Sequence, residues 1–428
     1  MKVYFLFPIL YYFYVSELCI ANGQGGTRRL RPMYPHGQSV MDKITNTEIF
    51  SASMAIMISR EDRTNDVANL TKSATTCSSP SGKWLRRQVD NVSNADLTKF
   101  FDWHIHTLPF AYKLFVVRRT DESADMEYFG LDGEFTREIS SVHERSRDFW
   151  SSHSGVDDDI RILGAHGSDL ADREDKLIPT LEVLFGGSYT EDYTVSDHAT
   201  DIQELISRLP GGYDHPLLTF NAFATDRVDD RRDGSPSIII GDGYFEFQRS
   251  VGLGSEGPEY ALTHEHAHHL QFSLLATANT EPEEKNRGSS DQTARRQELM
   301  ADAFSAYFLA HDSGGKMTAQ ELSNIHEIAF SVGDCETNND DRHHGTPQER
   351  GCATRWGASI ANSRNAASID LVELKHRFDV WYERIDGFED LENFCQHHDA
   401  VADVISSAPV NSLVAHSMKI FVIIWMCR

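Results

Sequence analysis

Paired cysteines, positive charge and long apolar runs are scarce in this 428-residue chain, and each scarcity narrows what the protein can be. Its six cysteines form no C-x-x-C pair, which argues against a cysteine-based metal site. Forty Lys and Arg face 65 Asp and Glu, a formal charge of −25, so the composition argues against binding nucleic acid or an anionic membrane. The apolar run from Val3 to Val15 is too short for a comfortable membrane span, and no stable span is expected. No internal repeat is visible. A hydrophobic content of 40% fits a globular protein of one large domain or two smaller ones.

The same short apolar run points to export. Residues 1–21 read as a signal peptide: Lys2 supplies the positive charge, and small residues around Cys19-Ile20-Ala21 offer a cleavage site. The sequons Asn69-Leu70-Thr71 and Asn91-Val92-Ser93 agree with a secreted, extracellular protein. Export permits disulfides, and Cys335 with Cys352 is the expected pair, unpaired thiols being the alternative. Residues 22–94 hold few periodic apolar segments and read as a low-order linker or a propeptide, with Arg28-Arg29 and Arg86-Arg87 as processing sites. Arg28-Arg29-Leu30-Arg31 resembles the translocation motif of secreted oomycete effectors, and Glu61-Asp62-Arg63 is a loose version of its acidic partner.

From about residue 95 to 390 the chain reads as one folded domain, followed by a tail over 391–428. Helices are expected from Ile139 to Trp150 and from a Ser196 cap to Leu209, and strands at Ile160 to Leu163 and Leu217 to Phe223. Ser237 to Ile240 with Tyr244-Phe245 reads as further β structure. Two strong helices follow, Glu259 to about Ala278 and Asp291 to about Ala310. In the tail, Ser406-Ser407-Ala408 and Met418 to Cys427 loosely resemble a lipid-anchor signal; a buried or frayed end is the favoured alternative.

The first of those two helices carries His264-Glu265-His266-Ala267-His268, an H-E-x-x-H run. Residues four apart share a helix face, so His264 and His268 can direct nitrogens at one Zn²⁺ while Glu265 projects beside it as general base. A third ligand is needed. Gln271 and Leu274 stand where a metzincin has Gly and His, which excludes that class. The second helix instead offers Glu298 as the ligand, with Asp302 on the same face to accept a hydrogen bond from the outer nitrogen of His264. With one Zn²⁺ in place, Cys77 could supply a thiolate that keeps the enzyme latent. His266 and His269 lie on other faces and read as groups behind the ligands or at the surface.

Taken together, Tyr260-Ala261-Leu262-Thr263-His264-Glu265-His266-Ala267-His268-His269-Leu270-Gln271 and Arg296-Gln297-Glu298-Leu299-Met300-Ala301-Asp302 resemble the neutral zinc metallopeptidases. Gly243-Tyr244-Phe245, Val332-Gly333-Asp334 and His344-Gly345-Thr346-Pro347-Gln348-Glu349-Arg350 extend the likeness over 237–357, with Glu349 where Gln is expected. The resemblance implies an α+β zincin-like fold: a small mixed sheet with an edge strand over the active-site helix, and a glutamate helix after it. It makes His344 the candidate donor to the developing oxyanion, with His343 as competitor and a structural or exposed histidine as the alternative. Asn221-Ala222-Phe223 resembles the edge strand of neprilysin-like gluzincins, which implies that backbone groups of Asn221 and Ala222 hold a peptide substrate. The expected activity is that of a secreted zinc endopeptidase acting on a peptide or protein. The alternatives are a catalytically silent effector of the same fold, which binds a protein partner, and a non-peptidase zinc hydrolase.

Overall fold

Side-chain caps set several of the helix starts. In the computed structural model, which describes residues 79–117, 127–151, 160–225, 236–277, 290–334, 344–363, 369–385 and 395, Thr194, Thr318 and Thr346 each close a capping box with the acid three residues on. In chain order the elements are α1 (Pro80–Val89), α2 (Asn94–Asp102), α3 (Leu108–Phe115), α4 (Thr136–Trp150), β1 (Arg161–Ala165), α5 (Ile178–Phe185), α6 (Val195–Ser207) and β2 (Ala222–Thr225). They continue with β3 (Ser237–Gly241), α7 (Asp242–Ser250), α8 (Gly257–Thr277), α9 (Ser290–Ala310), α10 (Ala319–Val332), α11 (Pro347–Ala361) and α12 (Leu371–Ile385).

The three strands form one mixed sheet in the order β1-β3-β2. β1 runs parallel to the wholly buried β3, and β2 runs antiparallel to it with Ala222 opposite Ile240. Among the described strands β2 is therefore an edge. α8 packs on this sheet, on α4 and on α9, and α9 packs in turn on α11. None of the described side chains of α8 is exposed, so its polar groups need partners inside the protein. Ser146 Oγ meets His266 Nδ1 at 2.7 Å, Thr263 Oγ1 meets Ser305 Oγ at 2.6 Å, and His269 Nε2 lies 3.2 Å from the Ser237 carbonyl. Neither His266 nor His269 is a surface group, and burial holds the His266 imidazole down at about 3, neutral at physiological pH.

Several expectations are corrected. The folded body begins by Pro80, not near residue 95, because Trp84, Leu85 and Val89 of α1 are buried, with Trp84 against Phe220 and Phe247. Arg86 and Arg87 are exposed but helical, and cleavage there would strip Trp84 and Leu85 from the core. α6 is capped by Thr194 rather than Ser196, since Asp197 reaches back to the Thr194 N–H. Pro216–Leu218 is a tight turn, so β2 starts only at Ala222. Tyr244 and Phe245 belong to α7: the Gly243 N–H donates to Thr219 Oγ1 at 2.9 Å, which ends the ladder and opens a helix. Cys352 is bonded to Cys395, 43 residues away, not to Cys335. Cys335, the signal region, Asn69, Cys77, Arg28-Arg29, Glu61-Asp62-Arg63 and the tail segments at 406–408 and 418–427 lie outside the described residues.

Two outcomes follow from this packing. Trp84→Ala should lower stability by about 3–5 kcal/mol in urea unfolding, as expected for a buried aromatic and not for a removable segment. On α4, burial and then the charges of Glu259 and Glu256 push the Glu138 carboxyl up to about 7, against the pull of Arg145. A carboxyl raised in the fold binds more protons there than in the unfolded chain, so its ionisation erodes stability as pH rises from about 4.5 through 7. Glu138→Gln should accordingly raise the melting temperature at pH 8 and leave it unchanged at pH 4.

Candidate metal centre

One face of α8 carries His264 and His268, and α9 crosses so that Glu298 meets both. His264 Nε2 lies 3.2 Å from His268 Nε2 and 3.2 Å from Glu298 Oε2, while His268 Nε2 lies 3.5 Å from Glu298 Oε1. Among the described residues, this trio is the cluster of His, Cys, Asp or Glu that could hold a metal ion.

Proton positions decide what the cluster wants. The Gln271 amide donates to the Gln297 carbonyl at 2.7 Å, which leaves Gln271 Oε1 as acceptor for His268 Nδ1 at 3.2 Å. His264 Nδ1 donates to Asp302 Oδ1 at 3.0 Å. Both Nδ1 atoms therefore carry hydrogen, and while the rings are neutral two Nε2 lone pairs and a carboxylate face one another. Three acceptors at such distances repel unless positive charge sits among them. Burial lowers the His264 imidazole, but hydrogen bonds to Asp302 and Glu298 outweigh burial and raise it well above its usual range. Burial likewise opposes the charge on Glu298, yet His268 and His264 hold its carboxyl well below the carboxylate range. A proton or a metal cation can meet that demand. Zinc bonds of roughly 2.0–2.1 Å in a tetrahedron imply donor–donor edges of roughly 3.3–3.4 Å, and the observed edges bracket that length. The donor set fits the ion.

Behind the trio lies a layer that the H-E-x-x-H motif does not announce. Asp302 is wholly buried, and Arg350 donates to it twice, from Nε and Nη2, each at 2.8 Å. Tyr260 also donates to Asp302, and Arg350 Nη2 reaches the Tyr260 hydroxyl at 3.1 Å. Arg350 is fully buried and locks α11 to α8 and α9 through this one carboxylate. Its place depends on the clasp before it: the Asp334 N–H donates to the Gly345 carbonyl at 3.0 Å, and the His344 N–H donates to Asp334 Oδ2 at 2.8 Å. Gly345 adopts φ +107°, open to glycine, and a Cβ on Gly333 would meet the Pro347 nitrogen at 2.4 Å. Glu349 at the position where Gln was expected is the third helical residue of a capping box, where Glu and Gln serve alike, and it also accepts from Arg295 at 3.2 Å.

The remaining candidate residues divide. Glu265 is buried beside the trio; burial and the Glu298 charge raise its carboxyl above the usual range, against the pull of His268, His264 and a hydrogen bond from the Ala224 backbone. The Gly241 N–H donates to the Asn221 carbonyl, so residues 221, 223 and 225 pair into the sheet and the backbone groups of Ala222 and Ala224 face the free edge. Asn221 thus turns its carbonyl inward, and of the expected pair only Ala222 keeps its backbone open. Ala222 borders the recess beside His264 and Glu265. The described contacts of His344 are with Asp334, not with the three donors, and the oxyanion role expected of it gains no support; His343 lies outside the described residues. Arg350 and Tyr260 lie within the matching motifs, and the sequence signal for their part is the need of a buried Asp302 for a counter-charge.

No family model, curated protein or solved structure matches this chain.

Arg350→Leu should cost about 3–5 kcal/mol, since it leaves Asp302 buried without its partner. Arg350→Lys should recover little of this, because one ammonium cannot make both in-plane bonds. Urea unfolding of the two variants measures both effects.

Proposed function

We propose that this protein is a secreted zinc-dependent endopeptidase that holds one Zn²⁺ through His264, His268 and Glu298. The observation that carries the proposal is the convergence of two imidazole Nε2 atoms and a carboxylate at 3.2–3.5 Å, with Glu265 buried beside them. A bound Zn²⁺ would supply Lewis acidity, lowering the pKa of a water and polarising a substrate carbonyl.

This chain's own groups do the rest. Glu265, steadied by the Ala224 N–H, accepts a proton from the attacking water and passes it to the leaving nitrogen, so each proton is conserved. Asp302 holds His264 with hydrogen on Nδ1, and Gln271 does the same for His268, so that each ring turns Nε2 toward Glu298. The free edge of β2 at Ala222 can accept an extended substrate backbone as an added strand. The Cys352–Cys395 bond suits the oxidising compartment that the N-terminal residues suggest. Among the described residues, no helix is long and apolar enough to cross a membrane.

Elemental analysis of the purified protein should find about one zinc per chain, and Glu298→Ala should lose most of it. Glu265→Gln should keep the zinc and lose about 10²–10⁴-fold in casein hydrolysis. A zinc-loaded wild type that cleaves neither casein nor a diverse peptide library would overturn the proposal in favour of a binding protein.

A further inference from the structure

The recess beside the trio is nearly full. It is bounded by His264 and Glu265 and walled by Ala222 of β2, Tyr244 of α7, Tyr260 and Ala261 of α8, Val332 of α10 and Arg350 of α11, with a cavity volume of about 10 Å³. That volume admits roughly one water-sized group, the size of a methyl. The walls are also held in place. Tyr244, Tyr260 and Arg350 are at most 3% exposed, and Tyr260 and Arg350 are tied to each other and to Asp302. Admitting a larger side chain means displacing Val332, shifting an aromatic ring or breaking the bonds around Asp302.

The side of the scissile bond follows from the chemistry. Glu265 hands its proton to the leaving nitrogen and therefore sits beside the residue that bears it. The recess is lined by Glu265 and by the preceding turn of its helix, at Tyr260 and Ala261. Given the peptidase reading above, we infer that the site cleaves before residues with very small side chains, glycine and alanine, and that Tyr244, Tyr260 and Val332 set this limit by filling the recess. An open groove would tolerate leucine or phenylalanine at that position; this one excludes them by overpacking.

Cleavage sites mapped by mass spectrometry in a proteome-derived peptide library test the inference, together with calorimetry of zinc-directed hydroxamates bearing a methyl or an isobutyl group next to the chelating end. The zinc-loaded wild type should prefer Gly or Ala over Leu or Phe after the scissile bond by at least about tenfold, and bind the methyl compound tighter by a similar factor. Val332→Ala should erase most of that preference, and Tyr244→Leu provides a second opening should the first variant fold poorly. Cleavage before Leu or Phe as fast as before Gly, or isobutyl binding as tight as methyl, overturns the size limit and leaves the peptidase standing. No cleavage and no hydroxamate binding by zinc-loaded protein takes down both.

Discussion

The fully buried carboxylate of Asp302 is the point on which the rest of the structure depends. It accepts four hydrogen bonds, two from Arg350, one from Tyr260 and one from His264, so three helices meet at a single charge. Removing a carboxylate from water costs several kcal/mol, and only a well-formed fork with the remaining lone pairs engaged offsets it. Any drift of α11 from α9 would break that fork. Glu298 stands one turn before Asp302 on the same helix, so the fork that holds Asp302 also fixes the distance from Glu298 to the two histidines.

The second constraint is that none of the described side chains of α8 is exposed. A helix with five polar ring or carboxyl groups in its central two turns survives burial only if each finds a partner. The face toward α9 gives the trio and Asp302, and the face toward α4 and β3 gives Ser146 and the Ser237 carbonyl. The helix is thereby fixed in rotation as well as position. His264 and His268 cannot turn away from Glu298 without breaking contacts on the opposite side, and this is the preorganisation that a metal site requires.

The parts readable from sequence were those governed by short-range periodicity. His264, His268, Glu298 and Asp302 are spaced by four within their helices, so their shared faces follow from 3.6 residues per turn. Their meeting across α8 and α9 followed from that spacing and from one assumed contact. What escaped were features set by distant partners. α1 reads as low-order because its apolar face is only Trp84, Leu85 and Val89 in a short polar stretch, and it takes distant partners such as Phe220 and Phe247 to bury Trp84. The inward turn of Asn221 depends on pairing register with Gly241, and the partner of Cys352 on where residue 395 returns. Tyr244 and Phe245 have strand-forming side chains, yet Thr219 at the end of a turn settles them as helix.

His264, His268 and Glu298 are proposed as three corners of a tetrahedral metal site. Visible absorption of the cobalt-substituted protein tests this directly. Tetrahedral or five-coordinate Co²⁺ held by two imidazoles and a carboxylate should give intense d–d bands that vanish when zinc is added back. A weak spectrum like that of aqueous Co²⁺, in protein shown to be folded, would mean that the three donors do not bind the ion together, and the account would fail at its centre.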